Sequence, residues 1–335
     1  MRFQRILCLC LACLLLCGCS GQKKAQQPTE STMVPAATPT TIPTEPPALP
    51  IETEAAELEL MAQEPLPAVP IVLEPKASGT LQTSNGSATI DYSHAQEGYV
   101  MVRFQQQIQQ RLKVLVQGPE TTYSYNLPVG EWTVFPLSDG NGSYRVGVYE
   151  NTTGNRYATV LIAEFEVQLQ DEFAPFLRPN QYVNYTHAQT VTAKGAELTA
   201  GVEDPLEKVT AIYHFVVSTL TYDKEKAATV KSGYLPDLEE VLAAQTGICF
   251  DYAALMAAML RSQGIPCKLV VGYAGDIYHA WISVWTEETG WIDGFIFFDG
   301  QIWKRMDPTF ASSGKDDADI LDFIENGTYT AKYLY

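Results

Sequence analysis

Apolar and polar residues alternate through 78–170, and the spacing then lengthens to that of a helix. The runs 98–104, 113–117, 130–135, 144–149 and 158–169 carry apolar side chains at every second position, the period of a strand with one buried face. Turn-forming groups separate them: Ser84-Asn85-Gly86, Gly118-Pro119, Asp139-Gly140-Asn141-Gly142 and Thr153-Gly154-Asn155. Short strands at this interval predict a β-sandwich of immunoglobulin-like type over 78–170. Beyond it, Val209, Ile212, Tyr213, Val216 and Val217 recur at helical spacing behind Asp204 and Pro205, a cap and a first-turn residue. A second helix should run from the N-cap Asp237 to about 245, and a third opens at Cys249 and continues to 263. Strands follow at 268–272, 279–285, 295–298 and 302–306. Helices first and an antiparallel sheet after them make 171–335 an α+β domain.

The N-terminal residues behave differently. Arg2 and Arg5 precede an apolar run, 6–17, that is too short to span a bilayer as a helix. It ends in Leu16-Cys17-Gly18-Cys19, which resembles the lipobox of bacterial lipoproteins. That resemblance implies cleavage before Cys19, a lipid anchor on its thiol, and a location outside the cytoplasmic membrane. Residues 1–19 are thus read as a signal peptide ending in the lipobox cysteine. Residues 20–77 are rich in Pro, Thr, Ala and Glu, too poor in apolar surface to offset the entropy of ordering, and read as a disordered tether. Of seven cysteines, five lie at 8–19, leaving Cys249 and Cys267 in the folded part. The third helix would separate those two by about 20 Å, beyond disulfide reach. The chain carries 22 basic and 39 acidic residues, a net charge of −17, which disfavours nucleic acid as a partner.

Three residues in separate contexts suit one reaction. Cys249 stands in Gln245-Thr246-Gly247-Ile248-Cys249-Phe250-Asp251-Tyr252, where a helix begins. Unpaired N–H groups at such an end favour negative charge on sulfur. His279 begins a strand on which His279, Trp281, Ser283 and Trp285 share one face and Ala280, Ile282 and Val284 the other. An imidazole there can take the thiol proton and return it to a leaving amine. Asp307, in Met306-Asp307-Pro308-Thr309, sits at a strand end and can hold the imidazole tautomer. The backbone N–H of Cys249 and the Gln245 side chain are candidate donors to an oxyanion. Trp281, Trp285 and Trp291 are candidates to line an apolar tunnel. A single Cys-His pair does not complete a metal ligand set, so no metal and no cofactor is expected. His94, His187 and His214 read as ordinary surface or core residues.

In order, Gly247-x-Cys249-x-Asp251-Tyr252-Ala253, Leu260-Arg-Ser-Gln-Gly-Ile-Pro266, Val270-Val-Gly-Tyr273, His279-Ala-Trp281 and Trp303-x-x-Met306-Asp-Pro-Thr309 resemble the transglutaminase-like superfamily. The resemblance covers 171–335 and implies a core shared with papain-type cysteine peptidases. It carries Cys249 over as nucleophile, His279 as general base and Asp307 as its orienting group. It implies acyl transfer at amide bonds of a protein or peptide substrate, cell-wall peptide included, by hydrolysis or by transamidation. Hydrolysis is the slightly favoured outcome, because transamidation requires water to be excluded. The alternative is an inactive module of the same fold that binds envelope peptide or glycan.

Overall fold

The alternating segment forms strands whose apolar positions are the buried ones. In the computed structural model, which describes residues 69–293, 296–298, 303–305, 309 and 327–335, β1 (Gln82–Ser84), β2 (Ala88–Asp91) and β3 (Tyr99–Phe104) come first. β4 (Leu112–Gln117), β5 (Thr122–Asn126) and β6 (Thr133–Pro136) follow, and a long hairpin of β7 (Gly142–Thr153) and β8 (Arg156–Val167) closes the series. They pair antiparallel in two four-stranded sheets, ordered β1-β2-β3-β6 and β5-β4-β7-β8. Ile90, Val100 and Val102 of one sheet share a core with Val114, Val116, Val146 and Val148 of the other. The Ser84-Asn85-Gly86 turn forms as expected, with the Asn85 Oδ1 accepting from the N–H groups of Ser87 (2.8 Å) and Ala88 (2.9 Å).

The helical segment opens with α1 (Gln189–Leu198) and α2 (Pro205–Thr219), then β9 (Thr221–Tyr222), α3 (Lys224–Thr229) and α4 (Leu238–Ala244). β10 (Thr246–Gly247) leads into α5 (Cys249–Arg261). β11 (Cys267–Ala274), β12 (Ile277–Thr286) and β13 (Gly290–Asp293) come next, followed by the pair β14 (Ile296–Phe298) and β15 (Trp303–Arg305) and finally β16 (Tyr329–Leu334). The main sheet is antiparallel with the order β13-β12-β11-β16.

The expected caps are made. Asp204 accepts from the N–H groups of Leu206 (2.7 Å) and Glu207 (3.0 Å), and Asp237 from that of Glu240 (3.0 Å). The periodicity did not reveal α1, whose N-cap position is Ala188 and makes no side-chain cap. Its cap is tertiary: Glu239 of α4 accepts from the N–H of Thr190 at 2.7 Å. No local pattern announces a cap from another helix.

α5 is buried on every side from Ala253 to Leu260, with α1, α2 and α4 around it and β11 and β12 beneath it. A helix apolar all round has to be central. Each fully buried Leu or Met on it contributes about 1.5–3 kcal/mol. Its last residue, Arg261, is 1% exposed. That guanidinium donates to the backbone oxygens of Cys267 (2.8 Å), Arg178 (2.8 Å) and Tyr335 (2.6 Å), tying α5 to β11, to the segment before α1 and to the end of β16.

The sheets and the helical part share this core. The Tyr335 ring packs on Tyr123, Tyr125 and Tyr182 with centroids 5.7, 5.8 and 4.5 Å away. Arg178 pairs with Glu97 at 2.6 Å, and Gln181 donates to the Asn126 carbonyl at 2.8 Å. Residues 69–77, assigned to the tether, lie against the domain: the Ile71 N–H donates to the Ser262 carbonyl (2.7 Å) just past α5, and that of Lys76 to the Tyr99 hydroxyl (3.1 Å). The exposed carbonyls at a helix end supply the reason. Cys19 and the rest of 1–68 lie outside the described residues.

Replacing Arg261 by Met leaves three buried carbonyls without their donor and is expected to cost roughly 3 kcal/mol or more. Lys, a point charge, should restore only part of it. Urea unfolding monitored by circular dichroism measures both, and a loss below about 1 kcal/mol would contradict this role.

Candidate active site

The approach to Cys249 is set by backbone pairing. β10 pairs in parallel with β9: the Thr221 N–H donates to the Gln245 carbonyl and that of Asp223 to the Gly247 carbonyl, both at 2.9 Å. Gln245 terminates α4 in the left-handed region (φ 53°) and turns the chain into β10. Its side chain is exposed, so the role seen for this candidate oxyanion donor is a backbone one. Gly247 is required by close approach, because a Cβ there would lie 2.7 Å from the Cβ of Asp251. Ile248 is then extended (φ −100°, ψ 175°), and Cys249 is the first residue of α5.

Asp251 holds that helix end. It is 0% exposed, and it accepts from the Ile248 N–H (2.8 Å), the Lys226 ammonium (2.8 Å) and the Tyr234 hydroxyl (2.6 Å). Lys226 also donates to Tyr234 (2.7 Å) and lies 4.5 Å from its ring centroid. A lone carboxylate buried two residues from Cys249 would oppose negative charge on sulfur, and Lys226 neutralises it. Burial works against the Lys226 charge, but the bonds to Asp251 and Tyr234 outweigh it and hold the ammonium above its ordinary value. Burial, and then the bond to Asp251, push the Tyr234 hydroxyl up to about 12. Sequence reasoning passed over Lys226 and Tyr234. Asp251 carried a signal, since an acidic residue three places after an N-cap can reach back to it.

His279 lies on β12 opposite Gly272 of β11 and is 4% exposed. The two-faced reading of this strand holds: Ala280, Ile282 and Val284 join the core where α5 packs on β12. On the other face the imidazole ring stands 6.1 Å from Trp281 and 6.4 Å from Tyr329, and the rings of Trp281 and Tyr329 meet edge-on at 5.2 Å. Gly272 is obligatory, because a Cβ would sit 2.0 Å from the Thr330 carbonyl oxygen, beside the register shift between β11 and β16. Tyr278, just before His279, is within electrostatic reach of Cys249. Partial desolvation, then charge on Tyr333, Tyr273 and Cys249, raise its hydroxyl above the ordinary range. Asp307 lies outside the described residues, two places beyond β15.

Both remaining cysteines are free thiols, Cys249 partly exposed and Cys267 buried. Burial pushes the Cys267 thiol up to about 12, although nearby Arg261 acts in the opposite direction. Two of the tryptophans considered as tunnel walls are engaged elsewhere. Trp285 packs on Phe173 at 4.2 Å. Trp291 packs on Phe176 at 5.4 Å, with the Lys268 ammonium 3.5 Å from its ring centroid. They fasten the main sheet to the segment that follows β8. Among the described residues no group of three or more His, Cys, Asp or Glu side chains is arranged to hold a metal ion.

Residues 192–293, from within α1 to the end of β13 and including both Cys249 and His279, match the family model described as the transglutaminase-like superfamily. This part of the chain belongs to that superfamily. Over 62 residues (14% of this chain and 9% of the other) it is 36% identical to a protein-glutamine gamma-glutamyltransferase of Pseudomonas aeruginosa. Over 195 residues it is 23% identical to the uncharacterized protein YebA of Bacillus subtilis, covering 52% of this chain and 26% of that one. The chain thus spans a minor part of these curated relatives. A solved structure, provisionally named a cysteine protease, from Cytophaga hutchinsonii aligns over 76% of this chain and 81% of its own, with 15% identity and a TM-score of 0.33.

Two outcomes follow from this geometry. Iodoacetamide should modify Cys249 in the folded protein and reach Cys267 only on unfolding; peptide mapping by mass spectrometry reads the difference, and equal labelling of both would refute it. Asp251→Asn should cost about 1–3 kcal/mol at neutral pH. Because the folded value of Tyr234 is raised, its contribution is complete below about pH 10 and is lost as pH climbs toward about 12. The stability gap between the variant and the parent should therefore shrink above pH 10, as followed by denaturant unfolding across pH.

Proposed function

We propose that this protein is a thiol enzyme acting by acyl transfer at amide bonds, with Cys249 as nucleophile, His279 as general base and acid, and Asp307 as the group orienting the imidazole. The observation that carries the reading is the placement of a partly exposed cysteine at the start of a helix that is buried from Asp251 onward and packs on the strand that bears His279. In the reaction His279 removes the Cys249 proton and the sulfur adds to the amide carbonyl. The C–N bond then breaks as the imidazolium returns the proton to the leaving nitrogen, which departs as ammonia or an amine. Water, deprotonated by the same imidazole, attacks the acyl-thioester and releases a carboxylic acid and the free thiol. An amine in place of water would give a cross-link. The N–H groups of the first turn of α5 are suited to stabilise the oxyanion, with Gln245 as a further candidate. Hydrolysis is the favoured outcome, because Trp285 and Trp291 are occupied in holding Phe173 and Phe176 and do not serve as walls that exclude water.

The setting is read from the same residues. The lipobox at Cys19 fits a lipoprotein held outside the bacterial membrane, spaced from it by residues 20–68. The two sheets over 78–170 are read as an immunoglobulin-like sandwich that carries the thiol domain. Its substrates would be proteins or peptides, those of the cell wall among them.

Incubating the protein with envelope peptides and a primary amine, followed by mass spectrometry, tests the chemistry. Addition of water or exchange of ammonia, lost by a factor of about 10³ or more in both Cys249→Ala and His279→Ala, is the expected result. Turnover that survives Cys249→Ala would end this assignment.

A further inference from the structure

A cavity of about 500 Å3 lies where the β3–β6 edge of the first sheet meets the segment before α1 and the loop before α4, and Cys249 is not among its lining residues. Its lining includes Glu74, Glu131, Trp132, Asn180, Gln181 and Leu235, and its volume lies in the range of ligand sites. Trp132 is 38% exposed, unusual for an indole with no evident packing duty. Two side-chain amides on the wall are each fixed at one end only. The Asn180 Oδ1 accepts from the N–H groups of Tyr182 (2.9 Å) and Val183 (3.0 Å), yet its Nδ2 has no hydrogen-bond partner among the described residues, in a residue 2% exposed. The Gln181 Nε2 donates to Asn126 (2.8 Å), while its Oε1 is unpartnered in the same sense. The two buried polar atoms belong to successive residues of the wall, and each calls for an explanation.

The chemistry of the wall narrows the ligand. The free ends are one donor and one acceptor, so an ammonium group, which only donates, would satisfy Gln181 and leave Asn180 unmet. Glu74 and Glu131 repel an anion but accept from hydroxyls. Trp132 offers an apolar face with a polar edge. A group that both donates and accepts, borne on a ring with an apolar face, meets all of these requirements. We propose that this cavity binds a neutral saccharide, with Trp132 against the sugar face and Asn180, Gln181 and the two carboxylates toward its hydroxyl or acetamido groups.

The cavity also adjoins the thiol site through the chain. Tyr182, next to Gln181, packs on Phe250 at 5.4 Å, and Tyr234, next to Leu235, bonds Asp251 at 2.6 Å. A saccharide held here would tether a glycan-linked substrate beside the helix that bears Cys249. Binding itself does not depend on the reaction assigned to Cys249, and a direct binding measurement separates the two.

The test is calorimetric titration of the full chain with a tetramer of N-acetylglucosamine, with tryptophan fluorescence recorded in parallel and a lysine-rich peptide as the competing ligand class. Saccharide binding with a change in emission is expected. Trp132→Ala should weaken it by about tenfold or more and Glu131→Gln by a smaller factor, with both exposed-site variants melting as the parent does. No saccharide binding up to about 10 mM, binding undiminished in Trp132→Ala, or preferential binding of the peptide would each overturn the proposal.

Discussion

A helix buried on every side has no solvent to satisfy its ends, so polar groups of the protein must do so. At the start of α5 a buried carboxylate meets this demand; at its far end the N–H groups of Ser262, Gln263 and Gly264 do so, and the buried Arg261 ties the helix to its surroundings. Asp251 closes the first turn onto Ile248, is neutralised by Lys226 and accepts a further hydrogen bond from Tyr234. Arg261 donates to three backbone oxygens from three other parts of the chain. The position of Cys249 follows from these two anchors together with the close packing of the helix's apolar middle.

The two anchors differ in kind. Asp251 is a carboxylate matched to a cation and a hydroxyl, and losing Lys226 leaves an uncompensated negative charge close to the sulfur. Arg261 meets only carbonyls, and burial lowers its affinity for the proton. Its charge survives because a guanidinium is charged far above neutral pH and offers five donors in a fixed fork. The first anchor thus bears on the electrostatics of the thiol, whereas the second bears on how the thiol domain is joined to the segment before α1 and to the end of β16.

The aromatic residues complete the joint. Tyr123 and Tyr125 of β5 meet Tyr335, which meets Tyr182, which meets Phe250 beside Cys249. This continuous row links the second sheet to the start of α5. It supports treating the sheets as part of the framework of the site, alongside any binding role of their own.

The sequence alone was enough for β3, β4, β6, β7 and β8 but not for β1, β2 and β5, and it was enough for the caps at Asp204 and Asp237, the start of α5 at Cys249 and the two faces of β12. Each is a local matter of period, cap or turn, decided within a few residues. The motif around Cys249 and His279 was equally legible, and the family match over 192–293 agrees with it. Tertiary structure alone decided the capping of α1 by Glu239, the pairing of Asp251 with residues 17 and 25 positions away, and the engagement of Trp285 and Trp291 by Phe173 and Phe176. It also showed that residues 69–77 dock, although their composition reads as that of a tether. These depend on which distant groups meet, and a chain records its partners only once it has folded.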